Sequence, residues 1–210
     1  MAKKKRTSRR KAINLPSYIN KDKYIHSILF FLEKINNQYL GKTKLMKLLY
    51  FLDFGFYENT GKSITNDKYV WYPHGPYPSR ADAVLDYMNR ELIITVSRKK
   101  FDSKWQERYL ANRKFDITLF SSNEMRELER VAAYFENYNT REIEDEAHRD
   151  IPWILFKPDA GKNVGGYIDY ELALYRHNSL PSEEDEKETE LLSKSRKFRE
   201  LVERTLKETQ

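Results

Sequence analysis

From Asn20 onward, apolar side chains return at helical spacing. Tyr24, Ile28, Phe31 and Ile35 form a stripe widened by Leu29 and Leu32, which predicts a helix over 20–38 with Asn20 or Ser17 as its cap. Gly41 then breaks the chain, and a second helix is expected over 43–59, closed by Gly61. Between Leu45 and Tyr57 this helix is apolar on nearly every side except at Lys47, Asp53 and Gly55. A helix apolar all round belongs at the centre of a fold.

The β-forming run Tyr69-Val70-Trp71-Tyr72 predicts a strand that enters Pro73-His74-Gly75-Pro76-Tyr77-Pro78. Those prolines exclude a helix and push Tyr72, Gly75 and Tyr77 towards extended backbone. Ser79 and Asp82 form an S-x-x-D pattern that starts a third helix through 89. Segments 92–96 and 105–110 have strand character and pair as a hairpin, with 98–103 expected as its exposed loop. Ser122 or Asn123 caps a helix through 138, with Leu128, Val131, Ala132 and Phe135 on one face. A shorter helix covers 140–148, and Ile151-Pro152-Trp153 redirects the chain. Ile168, Leu172 and Tyr175 return helical spacing over 167–176, with Asp169 near the start. Beyond Asn178 comes an acidic run, 183–190, and then a charged segment with the thin apolar stripe Leu191, Phe198, Leu201, Val202 and Leu206, which reads as an exposed helical tail. No internal repeat is present. These elements predict an α+β fold, a mostly helical single domain with a small antiparallel sheet or hairpin.

Charge changes the picture only at the N-terminus. The 210 residues carry a net charge of +6, but Lys3, Lys4, Lys5, Arg6, Arg9, Arg10 and Lys11 stand together without an acid. Residues 12–210 hold 31 bases against 32 acids, so the high isoelectric point describes an arm and the body is close to neutral. With no apolar pattern before Pro16, residues 1–17 read as a disordered arm. That arm offers salt-dependent attraction to nucleic-acid phosphates, or it serves only to solubilise. The absence of cysteine removes disulfides, thiol nucleophiles and thiolate zinc sites. No apolar run approaches bilayer length, and no apolar stretch backs the N-terminal charges as in a secretory signal. A soluble, cytoplasmic protein is expected.

Catalytic chemistry finds little support. No G-x-S-x-G, G-x-x-x-x-G-K-[ST] or G-x-G-x-x-G occurs, and Gly161, Gly165 and Gly166 lack a strand-then-helix setting. The four histidines, His26, His74, His148 and His177, include no i, i+4 pair. His148 with Glu144 and Asp150, joined by His74, would make a small metal cluster. The plainer reading has His74 bonding backbone in its loop and His148 closing a helix C-terminus. We expect no cofactor, no metal and no enzymatic activity. Asp53, inside the most apolar helix, must find donors, because an unpaired buried carboxylate is costly. It reads as an anchor for backbone N–H groups of the Pro-rich loop or for His74, in preference to a general base. The loop aromatics Trp71, Tyr72, Tyr77 and Trp153, with His74 and Pro76, either form a protein-recognition surface or plug the edge of the sheet.

The run Thr43-Lys44-Leu45-Met46-Lys47-Leu48-Leu49-Tyr50-Phe51-Leu52-Asp53, then Ile64-Thr65-Asn66-Asp67, then Trp71-Tyr72-Pro73-His74-Gly75-Pro76-Tyr77-Pro78, resembles the Panacea (SocA-like) antitoxin domain. Its later helix leading to a His and a Pro-Trp pair is matched by His148-Arg149-Asp150-Ile151-Pro152-Trp153. The likeness extends over 24–178 and places the domain at 18–178, between the arm and a tail at 179–210. Gly55 and the hairpin over 92–110 depart from the pattern. The resemblance implies an antitoxin that neutralises a cognate protein toxin by direct binding. It implies, as an alternative, an adaptor delivering the toxin to an ATP-dependent protease; apart from the resemblance, the charge of the basic arm leaves a nucleic-acid-binding regulator as a further reading. In this reading Trp71, Tyr72, His74, Pro76, Tyr77 and Trp153 carry or shape the contact, and Asp53 and His148 support the loop.

Overall fold

A computed structural model describes residues 15–35, 40–101, 104–158 and 165–176. The basic positions 3–11 and the tail 179–210 lie outside the described residues. The apolar helix expected at the centre is there as α2 (Lys42–Thr60), with every residue from Lys44 to Phe56 buried. Around it pack α1 (Lys21–Lys34), α4 (Ser122–Phe135), α5 (Thr140–Arg149) and a 3-10 helix over Tyr170–Tyr175. One hydrophobic core runs from Ile19 to Ala173. Its densest part is aromatic: Tyr50, Phe54, Tyr69 and Tyr170 meet with ring centroids between 4.4 and 6.1 Å apart. Each such side chain stabilises the fold by about 1.5–3 kcal/mol through burial.

Short polar signals set the helix ends. Asn20 caps α1 by accepting from the Lys23 N–H, and Gly61 closes α2 in the left-handed region. For α4 the cap is Ser121 and not Ser122 or Asn123; its hydroxyl and Glu124 form a reciprocal box, and the helix ends at Phe135 rather than 138. Asn139 and Glu142 form a second box at α5. The S-x-x-D pattern fails at α3 (Ala81–Arg90), which starts without a side-chain cap because the Ser79 hydroxyl is drawn to Asp67 instead.

Three very short strands make one sheet. β1 (Tyr69–Val70) lies between β2 (Tyr77–Pro78) and β5 (Tyr167–Ile168), antiparallel to both. Residues 167–168, expected as helix, are therefore strand, and the helical turn that follows is 3-10. Ile151-Pro152-Trp153 redirects the chain as the first turn of a short helix, α6 (Ile151–Leu155), where proline needs no N–H partner.

The hairpin is larger than its apolar pattern suggests. β3 (Ile94–Phe101) pairs with β4 (Lys104–Ala111) in unbroken register from Ile94↔Ala111 to Phe101↔Lys104. Positions 98–101, assigned to a loop by their charge, are strand. Outside the core, charged side chains on a two-stranded ribbon stay solvated, so polarity does not end the ladder. Gly55, the oddity within α2, lies where α4 comes closest: a β-carbon there would stand 2.2 Å from Glu127 Oε1 and 2.8 Å from Arg130 Nη2. Among the described residues no helix is long and apolar enough to cross a membrane.

Candidate functional site

Four polar residues of α2 recur every three positions: Lys44, Lys47, Tyr50 and Asp53. Three residues fall about 60° short of a full turn, so the four sweep roughly half the helix circumference. Each therefore reaches a different segment. Lys44 donates to the carbonyls of Glu136 and Tyr138, where α4 ends. Lys47 Nζ donates to the Pro76 carbonyl at 3.0 Å. The Tyr50 hydroxyl donates to Asp150 Oδ2 at 2.8 Å. Asp53 accepts from the Ile64 and Thr65 N–H groups, each at 2.8 Å, from the Thr65 hydroxyl, and from the Tyr69 hydroxyl at 2.9 Å.

Burial dominates the electrostatics of this row. It lowers Lys47 to about 7, with Glu144 opposing, and lowers Lys44 to about 8. It raises Asp53 to about 6 despite the hydrogen bonds that favour the carboxylate. A second buried carboxylate, Asp67, accepts from the Tyr24 hydroxyl at 3.0 Å, the Ser79 hydroxyl at 2.8 Å and the Arg80 N–H at 2.9 Å. Its own carbonyl takes the Tyr170 hydroxyl. One residue of the Ile64-Thr65-Asn66-Asp67 turn thus ties α1, the start of α3 and the 3-10 helix together.

Above this frame sits the Pro-rich loop. Proline has no N–H, so beyond the turn that the Gly75 N–H closes on the Tyr72 carbonyl at 2.9 Å the loop has few backbone donors of its own, and its carbonyls take side-chain donors. Three side chains from three helices supply them. Trp153 Nε1, from α6, donates to the Tyr72 carbonyl at 3.0 Å. His148, from the last turn of α5, is hydrogen-bonded to Pro73. Its Nε2 is buried without a hydrogen-bond partner among the described residues. Lys47, from α2, holds Pro76. Gly75 is required here twice over: its φ is +92°, and a β-carbon would meet Lys47 Cε at 2.7 Å.

The rings stack in a column. Trp71 lies on Trp153 at 5.3 Å and 16°, and Trp153 lies on His148 at 4.3 Å and 23°. Burial, and then the charge of Lys47, lowers the His148 pKa. Tyr72 meets Tyr77 edge-on at 5.6 Å. Burial raises the half-buried Tyr77 to about 12.

The loop residues singled out from sequence therefore come together, in two layers. Trp71 and Pro76 are buried and shape the face from below; Trp153 and Tyr77 are half-buried. Tyr72 is 39% exposed and the His74 side chain 85% exposed, with His74 Nδ1 3.2 Å from Glu144 Oε1. His148 supports the loop directly. Asp53 does not: it anchors the Ile64–Thr65 turn and Tyr69, and touches neither the Pro-rich loop nor His74. The reason is position, since Asp53 lies six residues, nearly two turns, beyond Lys47 along α2.

The cluster weighed as a metal site is dispersed. Asp150 Oδ2 is taken by Tyr50 and by Arg176 Nε at 2.7 Å, while Glu144 faces His74. Among the described residues no three His, Asp or Glu side chains converge to hold a metal ion. Sequence reasoning missed Lys44, Lys47 and Arg176 as buried, paired cations. For the two lysines the signal was available, as bases inside an otherwise apolar helix. Nothing around Arg176 marks it as buried.

The family model for the antitoxin SocA-like, Panacea domain matches residues 45–154. That span takes in the row on α2 from Lys47, the Ile64–Asp67 turn, the Pro-rich loop, the ribbon and α6 as far as Ile154. No curated protein and no solved structure matches the chain.

Proposed function

The chain belongs to the antitoxin SocA-like, Panacea domain family, and from that premise we propose that it neutralises a toxin by direct protein–protein contact through the braced Pro-rich loop. One observation carries the reading: three helices each donate a hydrogen bond to a carbonyl of 72–76, while Tyr72 and His74 of the same loop face outward. A loop already fixed in this way loses little conformational freedom on binding, and that loss is a main charge against affinity. Aromatic side chains on a rigid backbone are the usual anchors of protein interfaces. The partner is a protein toxin in the same cytoplasm, and the domain acts by occupying it, without catalysis.

Co-expression with the product of the adjacent open reading frame tests this. That product is expected to be toxic alone and harmless beside the intact chain. The double variant Tyr72→Ala/His74→Ala is expected to lose rescue while unfolding at the same temperature as the parent, since neither side chain is buried. Undiminished rescue by a folded double variant would remove the loop from the interface. Deleting 181–210 separates blocking from delivery: a blocker keeps neutralisation, whereas a protease adaptor loses toxin turnover.

A further inference from the structure

The strand that leads into the Pro-rich loop alternates between its two sides. Tyr69 and Trp71 are buried, whereas Lys68 and Tyr72 are exposed and Val70 is half-buried. Pairing continues past β1, because the Trp71 N–H donates to the Gly166 carbonyl at 3.2 Å and the Gly165 N–H to the Trp71 carbonyl at 3.0 Å. Lys68, Val70 and Tyr72 thus form one outward row, about 13 Å long, that ends in the exposed part of the loop. Tyr167 on β5 pairs directly with Val70, so it lies on the same side, and it is 44% exposed.

A second cation stands at the end of the row away from the loop. The Ser79 N–H donates to the Lys68 carbonyl at 2.8 Å, which brings Arg80 close to Lys68. Arg80 is exposed, and its Nε donates to the hydroxyl of Tyr18, another exposed tyrosine, at 3.1 Å. The Lys68 ammonium lies 5.3 Å from the centre of the Tyr167 ring. No acid stands in the row. Asp67, next to Lys68 in the chain, is buried and taken by Tyr24, Ser79 and the Arg80 N–H, and Asp82 is paired with Lys42. Arg and Tyr are enriched in protein interfaces, and a cation lying against an aromatic ring keeps a favourable neighbour when the surface is dried.

We propose that this face extends the toxin contact from the loop across the outer side of the sheet, and that the toxin surface it meets carries carboxylates. The proposal rests on the antitoxin reading, which identifies the partner. Two observations support it: the row is continuous with the exposed loop, and its charges are positive, so a matching partner brings acids. A two-fold pairing with a second copy of this chain would bring the cationic face against itself. Within the chain, the acidic run 183–190 is the competing occupant.

The test measures association of the purified product of the adjacent open reading frame with the full-length chain by biolayer interferometry, at about 50 and 300 mM salt. Lys68→Gln/Arg80→Gln should lower the association rate about 5-fold at low salt, and the gap should close at high salt, because exposed charges act mainly on the encounter. Lys68→Arg/Arg80→Lys, which keeps both charges, should associate like the parent. Tyr167→Ala should raise the dissociation rate about 5-fold at both salts. These changes fall on exposed side chains, and unfolding temperatures equal to the parent's show that the variants fold. An unchanged rate in the glutamine variant, or an equal loss at both salts, would overturn the proposal. So would a loss that disappears in a chain lacking 181–210, which gives the face to the acidic run. Failure of the underlying reading looks different, since the parent itself then binds no toxin and both ideas end. Normal binding by Tyr72→Ala/His74→Ala beside slowed binding by the glutamine variant would remove the loop and leave this face as the contact.

Discussion

Lys47→Met replaces a buried ammonium by an apolar chain of similar length, and its largest effect should lie in the pH dependence of stability. Lys47 is 1% exposed, and burial lowers it from 10.5 to about 7. Above the higher value neither the folded nor the unfolded chain holds this proton. Between the two values only the unfolded chain binds it, so rising pH favours the folded state; below the lower value both bind it and the dependence disappears. Working at ~1.4 kcal/mol per unit, the parent should gain roughly 2 kcal/mol from pH 7 to pH 9 relative to Lys47→Met. Lys44, held at about 8, titrates in the same direction in both proteins and cancels in the difference. Urea unfolding followed by tryptophan fluorescence at the two pH values measures it. Parallel profiles would refute the claim that Lys47 is held in a dry site. The same change strips the Pro76 carbonyl of its donor, a penalty of about 1–3 kcal/mol falling on the loop itself, so weaker toxin rescue should accompany it.

Gly55→Ala places a β-carbon on the Glu127–Arg130 pair; about 1–2 kcal/mol should be lost, and Glu127→Ala in the same chain should recover part of it, a coupling visible in a thermal double-mutant cycle. Asp53→Asn turns one acceptor oxygen into a donor facing N–H and O–H groups, and should remove about 2–3 kcal/mol by urea unfolding. The raised Asp53 pKa gives stability that is present below 3.8 and lost as pH rises through about 6, and that segment of the profile should vanish in the variant. Arg176→Met leaves Asp150 buried opposite Tyr50 alone and should remove ~3–5 kcal/mol, much of it restored by adding Asp150→Asn. Equal losses in the single and double variants would show that the carboxylate is not left unpaired.

Much of the fold was legible because its signals are local. The stripe Tyr24, Ile28, Phe31 and Ile35 is α1, and the all-round apolar run from Leu45 is the central helix. The prolines around His74 mark a loop with few backbone donors of its own. The motif run from Lys44, the Ile64–Asp67 turn and the His74-Gly75-Pro76 loop together sufficed for the family. These properties depend on residues a few positions apart, and backbone geometry alone turns their spacing into a face or a break. Local signals also misled where a stronger partner lay far away. Ser79 looked like a cap and became a donor to Asp67; 98–101 looked like a loop and became strand once β4 was beside it.

What only the tertiary structure decided is which buried donor meets which buried acceptor. Lys47 and Asp53 stand on one helix six residues apart, and nothing in their spacing says that the first holds Pro76 and the second the Ile64–Thr65 turn. Asp150 sits two residues from His148, yet one joins Tyr50 and Arg176 and the other the Pro73 carbonyl. A buried polar group must be paired whatever segment supplies the partner. The sequence by itself therefore determined that Asp53 would be held, and placed Lys47 in the same apolar helix. The packing of segments tens of residues apart determined by whom, and so which of them braces the loop.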